Sequence, residues 1–476
     1  MTTKKDKKIY LMGIGGIAMG TLATMLIEKG YHVTGSDQKL YPPMSTHLES
    51  LKVQLCEGYR SENIQAASPD LVIVGNVIRR DNVEAQYVFD HGIPYLSMPQ
   101  AIDRFLLGYH KSMVVAGTHG KSTTSALLAW VLAQAGLDPS CFIGAFLLDW
   151  GASHRIGKGP YMVLEGDEYD TAFFDKGPKF LHYRPHIAIL TSIEFDHADI
   201  FKDLGAVIEA FRRFVLLVPE DGRLIVNGDD PICLELSREC RGTVETYGVS
   251  EAADWQLVRT EYSDGSVRLL IRHRGTSLQA IVESRLPGRH NALNALAVLA
   301  AGSAAGLSME VMKDAVLSFR GIKRRQEVLG EVADIVILDD FAHHPTAVRE
   351  TIQAIQEFYP NRRLIAVFEP RTNSSRRNVF QADYEAAFDR ADLVFIKQPP
   401  GLDSISAAER LNAPGLVDGI RNRSVEATYC QDADNLLVSL GSVVSPGDLV
   451  LCMSNGGFDG VPRRLLESLR ERFGEA

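Results

Sequence analysis

At 476 residues the chain is too long for one ordinary domain, and at roughly 150 residues per domain it suggests about three. Hydrophobic content of 45 % with 23 % charged residues is that of a globular chain. A net charge of −10 speaks against broad nucleic-acid binding, which needs a basic surface.

Six cysteines (Cys56, Cys141, Cys233, Cys240, Cys430, Cys452) lack Cys-x-x-Cys spacing, which argues against a zinc site or a disulfide framework. They read as small buried groups in a reducing compartment. The lysine-rich start runs straight into glycines, unlike a signal peptide, and no run of ~18 apolar residues follows. A cytoplasmic protein without membrane or nucleic-acid partners is expected, as a monomer or weak dimer.

Residues 8–13 read as a strand, followed by Gly13-Ile14-Gly15-Gly16-Ile17-Ala18 and an apolar helix. A second strand ends in Ser36-Asp37. Gly13-x-Gly15-x-x-Ala18 with an acidic residue about 20 positions on is the dinucleotide fingerprint in its alanine-ending form. Taken alone it suggests a nicotinamide-dependent oxidoreductase, but the same geometry serves any ligand that carries a diphosphate and a ribose. Residues 71–75 and 94–97 continue the strand series, and a first boundary is expected near residue 110.

The next unit opens with an apolar strand, residues 113–116, then Gly117-Thr118-His119-Gly120-Lys121-Ser122-Thr123-Thr124 and a helix. Strand, glycine loop and helix form a phosphate-binding layout: helix N–H groups face an anion, the lysine reaches terminal phosphates, and Ser122 can ligate Mg²⁺. Val115 stands where the full Walker A pattern has glycine. A non-enzymatic phosphate-loop switch protein would explain this stretch but not the N-terminal diphosphate site.

Two apolar strands that follow end in carboxylates, Glu165-Gly166-Asp167-Glu168 and Glu194-Phe195-Asp196-His197. Ligands of an open parallel sheet sit beyond the carboxyl ends of its strands, so both clusters are expected to converge on the phosphate loop. Carboxylates are hard ligands for Mg²⁺, and an imidazole completes a metal shell. Residues 254–283 alternate as a β-rich insertion. Asn291 and Asn294 then share one face at the start of an alanine-rich helix.

After the basic trio Lys323-Arg324-Arg325 the strands restart. Residues 335–340 end in Asp339-Asp340 and precede His343-His344-Pro345, and residues 364–370, 393–397 and 449–453 are further buried strands. The expected fold class is α/β in three domains. Residues 1–110 form a Rossmann-like diphosphate-sugar domain, residues 111–326 a central phosphate-loop domain on a mixed, mainly parallel sheet with the β-rich insertion, and residues 327–476 a Rossmann-like acceptor domain.

These motifs, in this order, resemble the Mur ligases of bacterial cell-wall synthesis: the shortened glycine loop, Glu165-Gly-Asp-Glu, Glu194-Phe-Asp-His, His290-Asn291-Ala-Leu-Asn294, Arg324-Arg325 and Asp339-Asp340-x-x-His-His-Pro. The resemblance covers nearly the whole chain. Tyr169-Asp-Thr-Ala-Phe-Phe-Asp-Lys, Phe368-Glu-Pro-Arg-Thr-Asn and Ser454-Asn-Gly-Gly look like the peptide-recycling branch, which adds a tripeptide, rather than the branch that adds L-alanine.

The implied reaction joins UDP-N-acetylmuramate to L-alanyl-γ-D-glutamyl-meso-diaminopimelate. The lactyl carboxylate attacks the γ-phosphate of ATP, and the tripeptide amine displaces phosphate from the acyl phosphate. By resemblance, the nucleotide is held by Gly117, Thr118, His119, Gly120, Lys121, Ser122, Thr123, Asn291, Asn294, Arg325 and Asp340. Ser122, Glu165 and His197 bind Mg²⁺, and Lys121, Glu165, His197 and Arg325 carry catalysis. Gly13, Gly15, Gly16, Ile17, Ser36 and Asp37 take the UDP moiety. Some family members use a carbamylated lysine at a position occupied here by Arg212. Arg371, with Asn373 beside it, is an independent candidate for an acceptor carboxylate, because a guanidinium fork suits that group.

Overall fold

The computed structural model describes residues 7–41, 44–195, 201–263 and 266–474. The chain divides into two compact units. The first holds residues 1–193, 205–256 and 296–315, and the second holds residues 194–204, 257–295 and 316–476.

The first unit begins with five parallel strands: β1 (Lys8–Met12), β2 (His32–Asp37), β3 (Gln54–Glu57), β4 (Leu71–Val74) and β5 (Tyr95–Ser97), in the order β3-β2-β1-β4-β5. That is the 3-2-1-4-5 order of a doubly wound dinucleotide-binding sheet, lacking its sixth strand. β1 and β4 lie inside the sheet and are almost wholly apolar, as strands covered on both faces must be.

Its other sheet contains β6 (Lys111–Ala116), β7 (Ser140–Leu147), β8 (Ala152–Arg155), β9 (Tyr161–Gly166), β12 (Pro185–Leu190), β13 (Arg223–Asn227) and β14 (Thr243–Gly248). The order is β14-β13-β12-β6-β9-β7-β8, parallel except for β8 against β7. The phosphate-loop strand β6 therefore lies between β9 and β12, the two strands that lead into the acidic clusters. A small hairpin, β10 (Asp170–Ala172) and β11 (Asp175–Pro178), stands apart from this sheet. Its Phe173 and Phe174 pack against the core of the five-stranded sheet, edge-on to Phe89 and Tyr95 respectively.

The chain passes into the second unit within β15 (Trp255–Ser263). β16 (Ser266–His273) and β17 (Gln279–Ser284) pair antiparallel there, as the alternating pattern predicts. The unit's main sheet comprises β18 (Glu327–Val332), β19 (Ile335–Asp340), β20 (Leu364–Phe368), β21 (Leu393–Lys397), β22 (Glu426–Cys430) and β23 (Leu449–Met453). The order is β18-β19-β23-β20-β21-β22, with only the edge strand β18 antiparallel. Apolar clusters cover both faces of this sheet.

All six cysteines are free, four buried and Cys56 and Cys240 half-buried. Among the described residues no helix is long and apolar enough to cross a membrane.

Candidate functional site

In the first unit, Gly117 leaves β6 at φ +136°, and a Cβ there would come within 2.1 Å of Thr191 Oγ1. Only glycine fits. The loop is clamped from the end of β12: Thr118 N donates to Ser192 O (2.8 Å), His119 N to Ser192 Oγ (3.1 Å), and Thr191 Oγ1 to His119 O (2.5 Å). Gly120, at φ +81°, caps the helix Lys121–Gln134 without a side-chain bond. The first intrahelical bond that reaches the cap is from Thr124 N to Gly120 O, so the N–H groups of Lys121, Ser122 and Thr123 face outward as an anion cradle. The buried Thr123 contributes by its backbone.

The strand-end carboxylates are ranked by their partners. Glu165 Oε1 accepts from Ser122 Oγ at 2.7 Å, and Glu165 Oε2 accepts from Gly144 N at 2.7 Å. Glu168, buried, lies 2.9 Å from Lys121 Nζ, which also donates to Gly117 O at 2.6 Å. Asp167 pairs with Lys179 at 2.5 Å. Burial works against the Lys121 charge, but Glu168 and Asp167 outweigh it and hold the ammonium above its ordinary range. Burial likewise opposes the Asp167 charge, and Lys179 overcomes it, keeping that carboxyl below its ordinary range. Ser122 and Glu165 thus place two hard oxygens side by side at the anion cradle, a donor set that fits Mg²⁺.

Asp196 and His197 lie outside the described residues. Glu194 belongs to the second unit, where it accepts from Thr346 Oγ1 at 2.9 Å. Arg212 lies on the helix Leu204–Val215 and pairs with Glu209 and Glu239.

The N-terminal glycine loop gathers the expected residues with one departure. Gly13 N and Ile14 N donate to Ser36 O, and Gly15 N donates to Asp37 Oδ2 at 2.8 Å. Gly16 and Ile17 are exposed at the start of the helix Ile17–Glu28. Ser36, in contrast, is fully buried and donates to Glu84 Oε2 at 2.6 Å, so its hydroxyl supports the loop from beneath instead of facing a ligand. Glu84 also accepts from Tyr10, Arg60 N and Asn63. Tyr59 reaches Asp37, and burial with that neighbouring charge pushes its phenol up to about 12.

In the second unit Asn291, Asn294 and Asp340 are joined through Gln326. Asn294 Nδ2 donates to Asn291 Oδ1 (3.2 Å), Asn291 Nδ2 to Gln326 Oε1 (3.0 Å), and Gln326 N to Asp340 Oδ2 (2.7 Å). The two arginines separate in role. Arg324 ties the chain down through Asp339 and the carbonyls of Ser454 and Gly456. Arg325 lies over the Phe341 ring at 4.7 Å. Arg371 is half-buried beside Glu369, and Asn373 is exposed and accepts from Arg376.

Sequence reasoning missed Thr191, Ser192 and Gln326. The first two are short polar residues at a strand end read for its carboxylates. Gln326 is masked by the charged run around it.

Three protein families match this chain in series. Residues 8–110 match the Mur ligase family catalytic domain, residues 115–302 the Mur ligase middle domain, and residues 324–456 the Mur ligase glutamate ligase domain. The chain belongs to the Mur ligase family. This Mur ligase is 38 % identical, over 98 % of its length and 99 % of the relative's, to the UDP-N-acetylmuramate–L-alanyl-γ-D-glutamyl-meso-2,6-diaminoheptandioate ligase of Haemophilus influenzae. It is 34 % identical to the UDP-N-acetylmuramate–L-alanine ligase of Caldanaerobacter subterraneus, with 98 % of each chain covered. Among solved structures, the murein peptide ligase of Psychrobacter arcticus matches with TM-score 0.72 and 34 % identity, covering 97 % of this chain and 98 % of that one. As a Mur ligase the protein is an ATP-dependent amide-forming enzyme.

Proposed function

We propose that this Mur ligase joins UDP-N-acetylmuramate to L-alanyl-γ-D-glutamyl-meso-diaminopimelate in peptidoglycan recycling. The observation that carries the acceptor assignment is the full-length 38 % identity to a ligase named for that tripeptide, against 34 % to one named for L-alanine. Residues 1–110 serve the UDP-sugar, residues 111–326 ATP, and residues 327–476 the acceptor.

The lactyl carboxylate attacks the γ-phosphorus of ATP, expelling ADP and forming an acyl phosphate. The tripeptide's L-alanyl amine then attacks the acyl carbon, and phosphate leaves. Phosphoryl transfer offers a protein little covalent work, so cations and oriented N–H groups lower the barrier. Lys121 exchanges its bonds to the Gly117 carbonyl and Glu168 for β- and γ-phosphate oxygens, while the N–H groups of the helix start hold the same oxygens. Ser122 and Glu165 would hold Mg²⁺, which would offset the charge of the triphosphate, and His197 would hold a second ion. Asn291, Asn294 and Asp340 bind the nucleoside, and Arg325 its phosphates. The N-terminal glycine loop and Asp37 take the UDP diphosphate and ribose.

The test is phosphate release with ATP, Mg²⁺ and UDP-N-acetylmuramate, comparing the tripeptide, L-alanine and no acceptor. Turnover with the tripeptide alone is the expected result, and turnover with L-alanine alone would reassign the enzyme to the other branch.

A further inference from the structure

The carboxyl ends of β20, β21 and β23 meet at a buried ionic cluster that none of the roles above uses. Glu369, the residue after β20, is fully buried. Its Oε2 accepts from Lys397 Nζ, the last residue of β21, at 2.7 Å, and its Oε1 accepts from Ser454 Oγ, just beyond β23, at 2.8 Å. Lys397 is buried too, and its ammonium also donates to Asp459 Oδ2 at 2.5 Å. Asp459 reaches it from a turn in which Phe458 and Asp459 both have left-handed backbones, φ +48° and +50°. Non-glycine residues enter that region at a cost, so the turn is held by its surroundings.

Arg371 stands differently toward the same carboxylate. Its Nη1 lies 3.4 Å from Glu369 Oε1, a long contact, and its side chain is 39 % exposed where Lys397 is 7 % exposed. The loop behind it leaves no slack, because a Cβ on Gly456 would fall 2.2 Å from Arg371 Cδ. A fully buried carboxylate is costly as a charge, and a close cation offsets that cost. Lys397 is that close cation, and the half-buried Arg371 beside it makes only a long contact to Glu369.

We infer that Lys397 is a positioning residue for Arg371: by neutralising Glu369 from within the sheet, it keeps the Arg371 fork available to a carboxylate of the acceptor peptide. The inference rests on the tripeptide reading and on the role given to Arg371. Without Lys397, Arg371 is the remaining cation beside Glu369, and it closes into a short ion pair that withdraws it from the acceptor.

The test compares wild type, Arg371→Ala, Lys397→Met and the double variant Lys397→Met with Glu369→Gln. Phosphate release is measured against tripeptide and, separately, ATP concentration, with thermal unfolding as the folding control. Lys397→Met is expected to raise the tripeptide KM about tenfold, the loss of one charge-assisted hydrogen bond, with the ATP KM unchanged. The double variant removes the buried charge together with its counterion and is expected to recover most of that loss. A purely structural role would move both KM values together, and that result overturns the inference, as does an unchanged tripeptide KM in Lys397→Met. If Lys397→Met does not fold, the charge-neutral double variant decides: a tripeptide KM near wild type supports the inference, and one as high as that of Arg371→Ala overturns it. If Arg371→Ala itself leaves the tripeptide KM unchanged, the role of Arg371 fails. If Arg371→Ala raises it and Lys397→Met does not, only the present inference fails.

Discussion

At the residue scale, spacing identifies a cluster and packing assigns the roles within it. Glu165, Asp167 and Glu168 are equivalent by sequence, but only Glu165 lies against the Ser122 hydroxyl, while the other two are matched to lysines. Glu165→Gln is therefore expected to lower turnover on the order of a hundredfold and to raise the Mg²⁺ concentration needed for half-maximal rate, as a Mg²⁺ titration of phosphate release will show. A rate loss with an unchanged Mg²⁺ requirement would remove Glu165 from the ion. Ser36 shows where reading residue by residue ends: its place at the tip of β2 is legible, but the buried Glu84 that takes its hydroxyl comes from residues 48 positions away.

Asp339 carries a pH prediction. Burial, with added repulsion from Asp340 and Glu327, pushes its carboxyl up to about 6 against the opposing pull of Arg324. Between roughly pH 4 and 6 the folded chain keeps a proton that the unfolded chain has released, so this group's stabilisation is full below that window and lost as pH rises through it. Asp339→Asn removes that dependence. The wild type's stability relative to the variant should fall by on the order of 2 kcal/mol from pH 4 to pH 7, measured by thermal unfolding of both proteins. A constant difference would contradict the raised carboxyl.

At the scale of elements, the glycine loop depends on a neighbouring strand. Strand, loop and helix are legible because an apolar run, two glycines and a lysine follow one another. The clamp by Thr191 and Ser192 is not legible, since it depends on β12 lying beside β6. Gly117→Ala is expected to abolish ATP-dependent thermal stabilisation, because the added methyl meets Thr191 at a φ that alanine does not tolerate. Retained nucleotide stabilisation would show that the loop relaxes freely. The hairpin of β10 and β11 packs two phenylalanines on the core of the five-stranded sheet. Both are half-buried, so Phe173→Ala and Phe174→Ala should each cost about 1–2 kcal/mol, read from thermal unfolding. A change near zero would mean the contact contributes nothing to the fold.

At the scale of the whole molecule, the sheets follow the periodicity closely. The buried strands of β1, β4, β6, β20, β21 and β23 all read as apolar runs. Short edge pieces such as β8, β18 and β22 do not, since edge strands mix polar and apolar residues and owe their state to a partner strand. The motif order along the chain, matched by the three successive Mur ligase domains, makes the glycine loop part of an amide-forming enzyme. The diphosphate fingerprint taken alone pointed to an oxidoreductase.

The most direct measurement of the central claim uses UDP-N-acetylmuramate labelled with ¹⁸O in its lactyl carboxylate. It is incubated with ATP, Mg²⁺ and equal amounts of tripeptide and L-alanine, and the products are analysed by mass spectrometry. UDP-N-acetylmuramyl-tripeptide is the expected product, with one ¹⁸O in the released phosphate and one in the new amide. UDP-N-acetylmuramyl-L-alanine as the main product, or phosphate without label, would contradict that claim.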